Sequence, residues 1–380
     1  MLKAVDALSC GGWLTLTEIA RHWPGAERVA APLKAMDRLL RSPVVSRERD
    51  ELYEAMAAWL VRPVRPLLAV DWSDLKADGS FKLLRAGLVV AGRTLTIWEE
   101  VHPEAVAGSP AVEATFLQHL AQCLPTRCHP IILTDAGFRR PWFRAVQAQG
   151  WDYVGRLRGK FLVQPCTATA DDRAEWVACS AVHALVQTSR SRDLGSYRVS
   201  MRHPLVTRLV VHRAPRKGRH ALTVQRIRRR DEASEDAARA AREPWVLVTS
   251  LRDVTATQIA GYYARRMTIE QGFRDLKSDV YGAGFAHSLT HTGNRLANLL
   301  VLFALHQFAA WLVGLCEERE RGGMRLEASS RPKHRHYSTM RLGVEILKHP
   351  AWWPPSTMLK RFLRHMAHGC PFELQCTTTP

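Results

Sequence analysis

The sequence lacks closely paired cysteines. Its eight cysteines include no CxxC pair, and Cys123 with Cys128 is too loose a pattern for a zinc site. Reduced thiols in a cytoplasm are the expectation. No secretory leader is expected either, because residues 1–13 have neither a basic start nor a sustained apolar core. Only one long apolar run occurs, Leu296 to Cys316. It carries Asn298, His306 and Gln307, so it reads as a buried core helix rather than a membrane span. Acid is in short supply: 36 Asp and Glu against 54 Lys and Arg give a formal charge of +18. Such a surplus calls for an anionic partner, nucleic acid first, with an anionic membrane surface as the rival. The 380 residues can hold a large core plus one or two smaller modules.

Residues 1 to about 60 read as helical, with Leu14–Trp23 and Arg28–Leu40 separated by Pro24 and Gly25. This pair is either a helix-turn-helix that contacts DNA or simple helical packing. Pro63 and Pro66 then force an extended entry to the next segment. From Leu67 the pattern changes to strands. Leu67–Val70 is an apolar run suited to a covered central strand, delivering Asp71 near its end. Turns at Asp78-Gly79 and Ala91-Gly92 set off Phe81–Val90 and Thr94–Val101, which makes a three-stranded meander. A helix over Val112–Leu124, a strand Ile131–Leu133 ending at Asp135, a helix Pro141–Gln149 and a strand Trp151–Leu157 complete the order β-β-β-α-β-α-β.

That order is the ribonuclease H-like arrangement, an α/β mixed sheet with helices on both faces. In it the first and fourth strands are neighbours, so Asp71 and Asp135 are expected to converge. Two converging carboxylates at a sheet centre imply a bound cation or a functional cleft, since a lone buried charge is costly. The expected organisation is a helical DNA-binding region over 1–62, a first catalytic part over 63–157, a β-rich insertion over 158–250, a second catalytic part over 251–320 and a helical region over 321–380. Within the insertion, Phe161–Gln164, His183–Thr188, Tyr197–Met201 and Leu205–His212 read as short strands. Trp245–Ser250 returns as a strand. The run Arg216 to Arg230 is a solvated loop or a nucleic-acid tracking arm. Beyond the apolar helix, Arg335, His336, Arg341 and Lys348 add positive charge without a legible pattern.

One spacing stands out. Tyr263, Arg266, Glu270 and Lys277 follow Y-x2-R-x3-E-x6-K, and on a continuous helix all four fall within about 40° of one direction. One carboxylate then stands among two cations and a phenol. With Asp71 and Asp135, Glu270 makes a set of three acids suited to two Mg2+ ions, the arrangement used for in-line attack on a phosphodiester. Taken singly, each acid has a plain alternative: a strand-end turn for the aspartates, or an ion pair of Glu270 with Arg266 or Arg274.

The sequence resembles the DDE transposases of the bacterial insertion-sequence IS-four family, the group marked by a YREK signature. Tyr263, Arg266, Glu270 and Lys277 match that signature at every spacing. Leu68-Ala-Val-Asp71-Trp-Ser resembles the first-aspartate strand, and Ile132-Leu-Thr-Asp135-Ala-Gly-Phe the second. The likeness covers about residues 65–305, including a long β-rich insertion before the glutamate. It implies cut-and-paste transposition: hydrolysis frees a 3′-hydroxyl, which attacks the opposite strand to form a hairpin, a second water opens the hairpin, and the ends attack target DNA. It implies catalysis by Asp71, Asp135 and Glu270 holding two Mg2+, with Mn2+ as a substitute. Tyr263, Arg266 and Lys277 would grip phosphates near the cleaved end, chemistry that suits a phenol, a guanidinium and an ammonium. Trp245 resembles the tryptophan that stacks on a flipped base, with a buried core tryptophan as its alternative. Arg139 and Arg140, with Phe138, would line the same cleft. The partners would be double-stranded DNA bearing terminal inverted repeats and target DNA, bound by a homodimer in a bacterial cytoplasm, at the nucleoid, with no membrane. Rival readings are a non-catalytic DNA-binding protein, a resolvase- or ribonuclease-like hydrolase and a basic membrane-surface protein.

Overall fold

In the computed structural model, the residues described are 1–159, 161–166, 175–187, 190–215, 227, 231–232, 234–236, 242–323 and 337–367. The chain divides into two compact units. One comprises Met1–Pro130 with Met267–Pro380, and the other Ile131–Arg266.

The first unit opens with four helices, α1 (Leu2–Ser9), α2 (Leu16–Arg21), α3 (Ala30–Arg41) and α4 (Pro43–Leu60). Thr15 caps α2 by accepting from the Glu18 N–H, and Ser42 caps α4 at the Val45 N–H with Pro43 in the first turn, both standard helix starts. The sequence pattern gives no separate signal for α1; the second helix falls within its expected segment and the third runs one residue past the end of its own. A meander follows: β1 (Leu67–Asp74), β2 (Phe81–Val90) and β3 (Arg93–Pro103), all antiparallel. The first strand runs three residues past Asp71, so Asp71 is within the strand and not at its end. The reason is that Trp72, Ser73 and Asp74 stay paired with Leu84, Leu83 and Lys82 up to the turn. Helix α5 (Pro110–Cys123) closes this part.

Alternation along β1 sorts its neighbours onto two faces. Trp72 donates from Nε1 to Glu113 of α5 at 3.2 Å. On the opposite face Ala69 joins an apolar cluster with Leu83, Ile269, Phe273, Leu276 and Leu300. Three of these belong to the later helix α8 (Thr268–Lys277), and Leu300 to α9 (Gly293–Arg321). Helices therefore cover both faces of the meander. Helix α9 is the one helix among the described residues long and apolar enough to cross a membrane, and 72% of its most apolar window is buried inside the protein. Its polar residues have partners: Asn298 donates to the Leu40 carbonyl at 3.1 Å and His306 meets Ser9 Oγ at 2.9 Å. Helix α10 (Thr339–Lys348) crosses α9 where both backbones are bare, because a Cβ on Gly343 would overlap the Ala310 carbonyl and one on Gly314 that of Thr339. A last helix, α11, spans Ser356–Ala367.

The second unit starts with β4 (Ile131–Thr134), α6 (Arg140–Ala148) and β5 (Asp152–Leu157), and β4 lies parallel to β5. Helix α6 packs at Gly155, where a Cβ would collide with the Phe143 ring. The strands β6 (Leu162–Pro165), β7 (Val177–Ala178), β8 (Arg190–Val199), β9 (Leu205–Arg213) and β10 (Trp245–Thr249) extend this sheet in the order β5-β10-β9-β8-β6-β7. Of the five short strands expected here, Phe161–Gln164, Tyr197–Met201, Leu205–His212 and Trp245–Ser250 overlap observed strands. His183–Thr188 is the exception, since Cys179–Leu185 forms a 3-10 helix. An apolar run this short has no period that separates a strand from a tight helical turn. The unit ends with α7 (Ala256–Arg265), which begins in a capping box formed by Thr255 and Gln258. The Arg216–Arg230 run, apart from Ile227, lies outside the described residues, as do Arg335 and His336.

Candidate active site

The signature is not carried by one helix. The chain leaves the α-helix after Arg265 and re-enters it at Thr268. At the junction the Arg266 N–H bonds to the Tyr263 carbonyl at 3.0 Å, a 3-10 closure that tightens the last turn. Tyr263 and Arg266 belong to the second unit, Glu270 and Lys277 to the first. The single helical stripe expected from the spacing is corrected accordingly: Tyr263 lies on one helix, Glu270 and Lys277 on the next, and Arg266 in the break between them.

In the first unit, α8 packs on the meander. Small residues make the approach close: a Cβ on Gly272 would lie 2.9 Å from Thr94 Oγ1, and one on Gly87 would lie 2.7 Å from Thr94 Cβ. Lys277 at the end of α8 donates from Nζ to Ser73 Oγ at 2.8 Å. Ser73 and Ala69 both face α8, so the two-residue period places Asp71 on that face as well. Asp71 Oδ1 accepts the Trp72 N–H at 2.9 Å. Glu270 sits half-buried in the first turn of α8, where the helix dipole favours a carboxylate. Burial pulls the Lys277 ammonium below its ordinary pKa, against the opposing pull of Asp74.

A residue that sequence reasoning missed stands directly across from Asp71. Arg85 is its register partner on β2 and is 1% exposed. Its guanidinium lies 2.6 Å from Glu99 Oε2 and 5.3 Å from the centre of the Phe273 ring on α8. Glu99 in turn accepts from the Tyr53 hydroxyl at 2.7 Å. Burial, and then the Glu99 charge, pushes the Tyr53 phenol well above its ordinary pKa. The only signal for Arg85 was one cation in the apolar run Leu83-Leu84-Arg85-Ala86, which also suits an edge-facing residue.

In the second unit, Asp135 follows β4 immediately and accepts the Gly137 N–H at 2.7 Å. Phe138 is buried against Trp142, with ring centres 4.6 Å apart. Arg139 is exposed at the N-cap of α6, and Arg140 is its half-buried first residue. Tyr263 is only 3% exposed. Burial raises its phenol above the ordinary value, while Arg266 and Arg156 oppose that rise and Asp135 adds to it. Those causes gather Asp135, Arg156, Tyr263 and Arg266 in one electrostatic neighbourhood. Arg156, on β5, was not anticipated. Trp245 completes the group: it is half-buried, meets the Tyr263 ring edge-on at 5.0 Å and lies 5.2 Å from the His212 ring. It is neither fully buried nor openly displayed.

Among the described residues, no group of three or more His, Cys, Asp or Glu is gathered to hold a metal ion. The donor chemistry of the three acids nonetheless fits a hard divalent cation, because carboxylate oxygens are what Mg2+ selects.

Comparison with known proteins gives the class. A family model for the transposase DDE domain matches residues 62–306, which spans both units. The chain belongs to the transposase DDE domain family. A search of curated proteins found no match. Among solved structures, the chain is similar to one described as the piggyBac transposase synaptic complex with hairpin DNA, at 8% identity and a TM-score of 0.35. That likeness covers 83% of this chain, which spans 56% of the other.

Proposed function

We propose that this transposase excises and inserts an insertion sequence by cut-and-paste chemistry, as a member of the IS-four YREK group with a ribonuclease H-like catalytic sheet. The observation that carries the reading is the 2.8 Å bond from Lys277 to Ser73. It fastens the helix bearing Glu270 to the face of β1 that bears Asp71, the placement that a cation shared by the two acids would require. The antiparallel meander and the parallel β4–β5 pair support the sheet assignment.

Asp71, Asp135 and Glu270 would hold two Mg2+ ions, or Mn2+, which supply charge neutralisation at the scissile phosphate and lower the pKa of the attacking water or 3′-hydroxyl. The rest falls to side chains of this protein. Lys277, Arg266 and Tyr263 bind phosphate oxygens of the DNA end: a point charge, a forked donor and a phenol divide that work. Arg139 and Arg140 lie beyond Asp135 at the start of α6 and add positive charge to the DNA path. Trp245 stacks on a base that leaves the duplex when the strand bends sharply into a hairpin. The substrate is double-stranded DNA with terminal inverted repeats, joined later to target DNA. Two copies of the chain bring two ends together, in a bacterial cytoplasm at the nucleoid.

The test is cleavage of a labelled duplex carrying the element's own terminal repeat by purified protein with Mg2+, read on denaturing gels. Nicks at the repeat end followed by hairpin products support the proposal. Equal cutting of DNA without the repeat, or of RNA–DNA hybrids, would favour a general nuclease instead.

A further inference from the structure

The first unit contains a cavity of about 980 Å3 that none of the candidate catalytic residues line. One wall is a face of α8 next to the one bearing Glu270: Gln271, Arg274 and Asp275 recur at helical spacing, followed by Ser278 just past the helix end. The opposite wall is α10, whose Arg341 and Lys348 lie seven residues apart and enter the same space. These two cations share a single carboxylate, Glu345, at 2.7 and 3.4 Å. Arg274 is exposed and has no ion-pair partner among the described residues. Of the acids in the lining, Asp275 is paired with Arg93 at 3.1 Å, while Asp279 meets His287 at 3.0 Å, an ion pair only when the ring is protonated. The lining cations Arg93, Arg274, Arg341 and Lys348 thus face the acids Asp275 and Asp279 with Glu345 beside them, which leaves one positive charge over.

The inner surface is built differently. His306 and Gln307 of α9 line it, 8% and 3% exposed. Ser9 spends its hydroxyl proton on the Val5 carbonyl at 2.8 Å, so its contact with His306 Nδ1 requires the ring to donate there. In the neutral ring that leaves Nε2 as a lone-pair acceptor. At the entrance stand Trp13 and Tyr281, 39% and 76% exposed. Trp13 is fixed by stacking on His287, with ring centres 4.2 Å apart, and by a 3.3 Å bond from its Nε1 to the Asp279 carbonyl. Its placement needs Gly284, where a Cβ would lie 2.8 Å from the indole.

Cations with spare charge, exposed aromatic faces and an inner hydrogen-bond acceptor match the three parts of one nucleotide: phosphate, base face and base edge. We infer that this cavity binds an unstacked nucleotide of a DNA strand, its phosphate on Arg274, Arg341 and Lys348 and its base between Tyr281 and the His306 floor. The site is separate from the acids and rests on the reading of the protein as a DNA-processing enzyme. It would anchor a strand beside the catalytic centre rather than cut it.

The experiment measures binding of a labelled single-stranded oligonucleotide to the full chain by anisotropy, without divalent metal, over a range of salt. Arg274→Gln with Lys348→Gln is expected to weaken binding about tenfold and flatten the logarithmic salt slope by about 0.7 for each phosphate that is no longer neutralised. His306→Leu, which keeps the charges, is expected to weaken binding with the slope unchanged. Because either variant could perturb folding, an oligonucleotide with photoreactive iodouracil is crosslinked to the unmodified protein. An adduct on Tyr281 or Trp13 supports the site. Wild-type affinity and slope in the double variant, or adducts only elsewhere, overturn it. Competition by free deoxynucleoside monophosphate at low concentration, with strand binding unaffected by the variants, would assign the cavity to a free nucleotide and overturn the strand assignment. Failure of wild type to bind any DNA would instead remove the proposed function itself, whereas repeat cleavage that survives the cavity variants would leave that function standing.

Discussion

Lys277 reaches from the last turn of α8 to the hydroxyl of Ser73, two residues beyond Asp71 on β1, at 2.8 Å. This bond ties the far end of the Y-x2-R-x3-E-x6-K spacing to the strand bearing Asp71 within one unit. A lysine that is half-buried and held by a neutral partner keeps charge available for an incoming phosphate, since an ion pair would already have satisfied it.

Lys277→Met should therefore leave the protein folded, because the methionine can fill the half-buried space beside Phe273, where the ammonium lies 5.8 Å from the ring centre, while DNA affinity drops. The salt dependence of binding should flatten by about one phosphate's share. Anisotropy titrations at several salt concentrations check this, with thermal unfolding as the control for the fold.

Arg85→Ala should destabilise the first unit strongly, by about 3–5 kcal/mol, because Glu99 would be left as an unpaired buried charge. Arg85→Met with Glu99→Leu should recover much of the loss, since the pair is then removed together. Urea unfolding of the two variants against wild type measures the difference.

His306 gives the pH dependence. Burial, and secondarily Lys348, lowers its folded pKa from 6.5 to about 4. The unfolded chain binds the proton more readily, so this contribution is fully present above the unfolded pKa and is lost as pH falls toward the folded one. Between about pH 7 and pH 5 wild type should lose about 2 kcal/mol from this group alone. His306→Gln should show a correspondingly shallower decline in urea unfolding followed across that range.

Gly343→Ala should cost about 1–3 kcal/mol by overpacking, because the new methyl meets the Ala310 backbone and not a side chain that could turn aside. A matched Gly→Ala change at exposed Gly261, where nothing lies within 4 Å of a Cβ, should stabilise its helix slightly. The contrast in melting temperature between the two tests the close α9–α10 crossing.

The strands were legible where the period was clean. Phe81–Val90 and Leu205–His212 emerge within a residue or two of their true bounds, the first because turns at Asp78-Gly79 and Ala91-Gly92 bracket it, the second because its apolar run is β-branched. The break at Arg266–Met267 was not legible, since Ala264, Arg265, Arg266 and Met267 are all good helix formers and no Gly or Pro marks the junction. Arg85 was passed over because a single cation in an apolar strand says nothing of Glu99 across the ladder. Arg341 and Lys348 carried no pattern until α10 was seen to present both to one cavity. Side chains whose role depends on a distant partner are invisible to local period, and the electrostatic group around Tyr263 is of that kind.

The most direct test of the central claim compares Asp71→Asn, Asp135→Asn and Glu270→Gln with wild type, each assayed for binding and for Mg2+-dependent cleavage of terminal-repeat DNA. All three variants are expected to bind DNA at near wild-type affinity and to lose cleavage by at least about a thousandfold, as expected when a group acting in the transition state is removed. Cleavage at wild-type rate by any one of them would contradict the assignment of that acid to the catalytic set.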